Sequence, residues 1–123
     1  MKRAKLEDMS PEELVDRFLA IAIEQDHATL YDDNARYNRL FDQMEAVEAE
    51  LRSRAGDQRA LLLPLHEHEN LQVRLKSAIA TLAILPEASR AVLQWLSDRN
   101  RQPQAGDARG MMRALDTGRY VPT

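Results

Sequence analysis

Histidines and glutamates alternate in one short run, His66-Glu67-His68-Glu69, the densest set of potential metal ligands in the chain. Zinc is held by imidazole and carboxylate groups, four ligands to a closed site. Two residues apart on a helix, the two imidazoles point in quite different directions. In an extended loop they could converge, but the loop would have to supply more ligands. The plain reading of the run is a polar turn between two helices. Glu24-x-x-His27 sets a carboxylate and an imidazole one turn apart, half of the pair used in di-iron bundles. Such a site needs a second copy and two further glutamates, and the sequence has no second Glu-x-x-His. An exposed helix end accounts for it. Glu45 and Glu48 lie on neighbouring turns, yet acid–base work needs carboxylates that are close and partly buried, and their surroundings are polar. No serine sits in a nucleophile elbow, and no glycine-rich loop follows a strand. These residues nominate no catalytic set, no metal site and no cofactor. A small metal protein or enzyme built on His66 and His68 stands as the alternative to a binding module.

Two other rows of side chains could recognise rather than react. Arg74, Ser77 and Thr81 share a face of one helix, and Arg109 and Arg113, four apart, share a face of another. Side by side, the rows would make a basic, hydrogen-bonding groove for an acidic peptide or helix. Asp107, Asp116 and Glu69 could neutralise parts of it, and the bland reading is a solvated surface with weak ion pairs. Trp95, the single tryptophan, reads as a core or inter-helix anchor.

The elements that must position these residues are all helical. Asn70 to Leu85 carries the most regular pattern, with Leu71, Leu75, Ala78, Ile79, Leu82 and Leu85 on one stripe. Asn70 caps it and Pro86 stops it. Gln72, Lys76 and Ser77 fall on the opposite face. Ser10-Pro11-Glu12-Glu13 starts the first helix with a capping box. Its stripe of Leu14, Phe18, Ile21, Ala22 and Gln25 is widened by Val15, Leu19 and Ile23 and fades by Tyr31. Asp32-Asp33-Asn34 starts the second, with Tyr37, Leu40, Phe41, Met44, Val47 and Leu51 running to about Arg54 and Gly56 as its stop. Asp57 caps a short third helix, Arg59 to about Leu65, with Leu61, Leu62 and Leu65 inward and Pro64 bending it or keeping it short. Pro86 opens a fifth helix containing Ala88, Val92, Leu93, Trp95 and Leu96. After a turn over 100–104, a thinner sixth stripe runs through Ala105, Ala108, Met112 and Leu115 to Gly118. Gly106 and Gly110 each weaken it by roughly 1 kcal/mol. Residues 1–9 read as a frayed arm, 10–118 as a single helical domain and 119–123 as an extended tail.

The decapeptide Val73-Arg74-Leu75-Lys76-Ser77-Ala78-Ile79-Ala80-Thr81-Leu82 resembles the second helix of a HEAT or armadillo-type repeat. Those repeats pair two antiparallel helices and stack into a superhelix, and an arginine at the place of Arg74 often bonds acidic or carbonyl groups of the adjoining turn. The whole chain, including Leu115-Asp116-Thr117-Gly118-Arg119-Tyr120-Val121-Pro122-Thr123, resembles a small bacterial family of unknown function with an armadillo-like fold. That resemblance brings no activity and no functional residues. A faint internal repeat agrees with it. Arg59-Ala60-Leu61-Leu62 is echoed by Arg90-Ala91-Val92-Leu93, and a period near thirty residues fits a short solenoid. The fold expected is therefore all-α, about six helices in a short HEAT/armadillo-like alpha-alpha superhelix, with an irregular bundle as the alternative.

Composition narrows the function classes. The chain's 123 residues suit one domain. With no cysteine, disulfides and thiolate zinc sites are excluded. No apolar region follows the basic residues of the N-terminus, and no apolar run approaches the roughly 20 residues that span a bilayer. The expected location is the bacterial cytoplasm. Net charge is −3, unevenly placed: residues 1–58 hold 8 Lys/Arg against 14 Asp/Glu, and residues 86–123 hold 6 arginines against 4 acids. The acidic front half speaks against nucleic acid, which needs a positive field, although the C-terminal arginines keep that alternative open. The function expected is a non-catalytic protein–protein interaction module of helical-repeat type, binding an unidentified protein partner. Self-association through an open end of the stack is the other outcome such a fold allows.

Overall fold

The computed structural model describes residues 5–123, and over them five α-helices and two 3-10 segments follow one another without a strand. The fold is all-α. The chain divides into two compact units, Met1–Leu61 and Leu62–Thr123.

In the first unit, α1 (Pro11–Leu30) begins at the capping box. The Ser10 hydroxyl accepts from the Glu13 N–H at 3.1 Å, and the Ser10 N–H donates to the Glu13 carboxylate at 3.0 Å. The Ser10 N–H and, after it, the Ser10 hydroxyl hold the Glu13 carboxyl below its ordinary pKa. The second helix, α2 (Asn34–Ser53), is capped by Asp33, whose carboxylate accepts from the Arg36 N–H. Contacts along the pair run in opposite directions: the Gln25 amide meets the Met44 sulfur at 3.9 Å, and Arg36 reaches His27 and Glu24. The two form an antiparallel hairpin whose buried residues are Leu14, Phe18, Ile21, Ala22, Gln25 and Ala28 of α1 with Leu40, Met44, Val47 and Leu51 of α2.

Of the arm expected over 1–9, residues 1–4 lie outside the described residues. From residue 5 the chain is held. Leu6–Asp8 makes a 3-10 turn, Met9 is buried, and the Arg54 guanidinium donates to the carbonyls of Leu6 at 3.1 Å and Met9 at 2.8 Å. The same guanidinium takes the Glu50 carboxylate at 2.7 Å. Five N–H donors in a fixed fork let one side chain do both. No apolar periodicity announces this tether.

Gly56, at φ +79°, ends the α2 turn in the left-handed region. Gln58–Glu67 then winds as a 3-10 segment, not as the short α-helix expected from Arg59 to Leu65. At three residues per turn, Arg59, Leu62 and Leu65 fall on one side, and all three are buried. Leu61, expected inward at the α-helical period, is exposed instead. Pro64, with no N–H to donate, fits the short, tight winding.

The second unit holds α3 (Leu71–Ala80), α4 (Pro86–Arg99) and α5 (Gln104–Asp116). The Asn70 side chain accepts from the N–H groups of Gln72 and Val73. No residue of α3 is exposed, so this is the central helix of its unit. Gln72 and Ser77, expected on its wet side, are buried, and the Gln72 side-chain oxygen accepts from the Gln104 amide at 3.0 Å. The helix stops at Ala80, short of the expected Leu85, and the Thr81 hydroxyl that follows donates to the Ser77 carbonyl at 2.8 Å. Residues 81–84 then make tight turns closed by bonds from Leu82 N–H to Ile79 and from Ile84 N–H to Thr81. Pro86 sets the first turn of α4, and Asn100, at φ +58°, ends it.

Between α3 and α4, Thr81 faces Ser89 near the turn while Arg74 lies over Trp95, and between α4 and α5, Arg90 pairs with Asp116 while Arg109 reaches Ser97. Each successive pair is thus antiparallel. Leu75, Ala78, Leu82, Leu93, Leu96 and Ala108 form the core, with Leu71, Ile79, Val92, Trp95, Met111, Met112 and Leu115 packed against it. The last residues leave α5 at Gly118, and Tyr120, Val121 and Pro122 help to line a shallow pocket of 360 Å³ with Leu82, Pro86 and Leu115.

Candidate functional site

The 3-10 winding that buries Leu62 and Leu65 turns Leu63 and Pro64 outward. On α4, Ala88, Ala91 and Trp95 follow at steps of three and four, one stripe of the helix. Between these rows lies an open groove of 660 Å³, lined by Leu63, Pro64, Ala88, Ala91, Val92 and Trp95 with His66, Glu67 and Arg74. Its walls are mostly apolar, and Leu63 leaves 43 % of its surface to solvent. Small side chains at 88 and 91 let another backbone approach α4 closely.

Arginine surrounds the tryptophan. The Arg74 guanidinium carbon lies 4.3 Å from the Trp95 ring centroid, and that of Arg99 lies 3.9 Å away. Stacking of this kind contributes roughly 0.5–1 kcal/mol near the surface and fixes the planes of both partners. Arg74 also donates to the backbone carbonyls of His68 and Glu67, which ties α3 to the turn that precedes it.

A buried polar chain runs inward from His66, which lines the groove. His66, 4 % exposed, has Nε2 at 2.9 Å from the Thr81 hydroxyl, which lies 2.8 Å from the Ser89 hydroxyl. The 3-10 segment, the end of α3 and the first turn of α4 are joined through this one oxygen. Burial pushes the imidazole pKa down from its ordinary 6.5, outweighing the Ser77 carbonyl and the Glu67 carboxylate, which push it up.

The residues singled out in the sequence are dispersed by the fold. Ser77 and Thr81 have no exposed surface, so they present nothing to a partner. Their hydroxyls turn inward, Ser77 to the Arg74 carbonyl and Thr81 into the polar chain. The Arg109 guanidinium donates to the Ser97 hydroxyl and carbonyl and to the Asn100 side chain, closing the end of α4. Arg113 is exposed. Arg74 alone of the five reaches the groove. His66 and His68 do not converge: His66 turns inward to Thr81, while the His68 ring nitrogen Nδ1 accepts from the Asn70 N–H at 3.0 Å. Among the described residues, no three His, Asp or Glu side chains gather as a metal ion requires. Glu24 and His27 are exposed and gather around Arg36, with the Tyr31 ring 4.8 Å from the imidazole.

Leu63, Pro64, Ala88 and Ala91 were not legible as a site. The Ala88–Ala91–Trp95 stripe is visible in the sequence, but only the 3-10 winding shows what faces it. No helix among the described residues is long and apolar enough to cross a membrane.

The chain is similar throughout to a solved structure, the crystal structure of the protein RPA1889 from Rhodopseudomonas palustris CGA009. The two are 40 % identical, with a TM-score of 0.94, and the match covers 98 % of this chain and 100 % of that one. No curated protein matches. A family model matches residues 12–116, which take in most of both units and the whole groove, and the chain belongs to that family, described as Domain of unknown function (DUF2019).

Proposed function

We propose that the chain is a non-catalytic interaction module of HEAT-like type, and that its second unit takes an acidic segment of a partner protein into the groove beside Trp95. The observation that carries this is the groove itself: an open, mainly apolar trough with a half-buried tryptophan in its wall and a guanidinium fixed at its edge. Tryptophan and arginine in such a setting are the residue types that concentrate binding energy at interfaces. An amphipathic helix or extended segment would lay apolar side chains along Ala88, Ala91 and Val92 and bring a carboxylate to Arg74. The antiparallel succession of α3, α4 and α5, the echo of residues 59–62 at 90–93, and the Arg74 bonds to the adjoining turn support the repeat reading. The second unit also holds 8 Lys/Arg against 6 Asp/Glu, which favours an acidic partner over a basic one.

Ala91→Arg tests the proposal. Residue 91 is exposed, so a long side chain there fills the trough without entering the core. A partner that binds the wild-type chain and loses at least roughly tenfold in affinity for this variant supports the groove. Unchanged affinity overturns it.

A further inference from the structure

We propose that His66 makes the groove proton-sensitive: its neutral ring clamps the 3-10 segment to α3 and α4, and its protonation releases that segment and reshapes the groove. This rests on the reading of the groove as the binding site. The geometry is specific. One wall carries Leu63 and Pro64, from the same 3-10 segment that ends in His66. The other wall is α4, which carries Ser89. The imidazole and the two hydroxyls that join them through Thr81 are all buried. Both walls therefore hang on the Nε2–Thr81–Ser89 chain.

An imidazolium in that place needs solvation that the surrounding residues do not give. From its own segment, Glu67 is the acidic group near it; the next imidazole, His68, is turned to the Asn70 N–H. From α3 the groove receives Arg74, a second cation. From α4 it receives Ala88, Ala91, Val92 and Trp95, none of which titrates. The Ser77 carbonyl of α3 and, after it, the Glu67 carboxylate favour the charged ring, but burial opposes both more strongly. Proton uptake is therefore linked to exposure of the ring. Since His66 lies at the end of the segment, exposing it draws Leu65 and Pro64 with it.

The test is amide hydrogen exchange of the full chain, without any ligand, at about pH 7.5 and about pH 5.5, corrected for intrinsic rates. The expected result is a loss of protection of at least roughly tenfold at the His68 amide, which donates to the Leu65 carbonyl, and at the amides of the Thr81 turn. Amides of α1 should be unchanged. His66→Gln, which keeps a donor and an acceptor for Thr81 without a titrating ring, should abolish the response. If His66 titrates by NMR while these amides keep their protection, or if His66→Gln responds as the wild type does, the clamp is overturned. That result is independent of the Ala91→Arg binding test. The groove can fail as a docking site while the clamp stands, and the clamp can fail while the groove binds.

Discussion

Thr81→Val keeps the shape of the side chain and removes one oxygen, and that oxygen is the hub of the second unit. His66 Nε2 and the Ser89 hydroxyl would both lose their shared partner. A buried polar group left unpaired costs roughly 1–3 kcal/mol, so urea denaturation should show at least that loss. Arg113→Ala, on exposed surface, should stay within about 0.5 kcal/mol. The pH dependence follows from the same cluster. The folded-state pKa of His66 lies below its ordinary 6.5, so the unfolded chain takes up the proton first as pH falls. The contribution of His66 to stability is therefore complete above 6.5 and is lost as pH drops through the interval between the two values. Unfolding free energies measured across that range should decline toward acid for the wild type and flatten for His66→Gln. None of this is legible in the linear sequence. His66-x-His68 draws attention as a ligand pair, but Thr81 and Ser89 reach the ring only after the chain has turned twice.

Helix starts are legible in the sequence because caps are local chemistry. Ser10-Pro11-x-Glu13 and Asn70 act within three residues and form the bonds expected of them, and within the Asp32-Asp33-Asn34 start Asp33 supplies the cap. Ser10→Ala should cost about 1 kcal/mol by leaving the Glu13 N–H without its partner, read as a lower melting temperature. Helix ends and windings were less legible. The segment after Gly56 reads as a short helix with Leu61, Leu62 and Leu65 inward, but its buried residues fall at 59, 62 and 65, a spacing of three. The apolar stripe after Asn70 continues to Leu85, whereas the helix ends at Ala80 and tight turns follow. The sixth stripe carried a different expectation, that its glycines weaken it. A Cβ added at Gly110 would meet nothing within 4 Å. Gly110→Ala should therefore stabilise α5 by up to about 1 kcal/mol, measurable as a rise in the denaturation midpoint with an unchanged slope.

At the scale of the molecule, the sequence conveyed an all-helical fold, and the family match and the solved relative, at a TM-score of 0.94, are consistent with it. The residues of the expected basic groove do not form one row, for a physical reason. Arginines spaced along two helices suggested a basic row, yet Arg109 is spent on the end of α4, and Ser77 and Thr81 face inward. A substitution Arg109→Glu would thus disturb the α4–α5 hairpin as well as any surface, and it is a poor probe of binding. The groove arises instead from long-range packing, where residues 63 and 64 meet the outer stripe of α4. That stripe reads as unremarkable alanine until its neighbour is known.

The most direct test of the groove is a comparison of three tagged chains, expressed in the native host and purified under mild salt: wild type, Ala91→Arg and Arg113→Glu. The two variants should match the wild type in circular dichroism and melting temperature. A protein recovered in stoichiometric amount with the wild type and with Arg113→Glu, but absent from Ala91→Arg, is the result this account predicts. Recovery of the same protein with all three chains would contradict it and place recognition outside the groove.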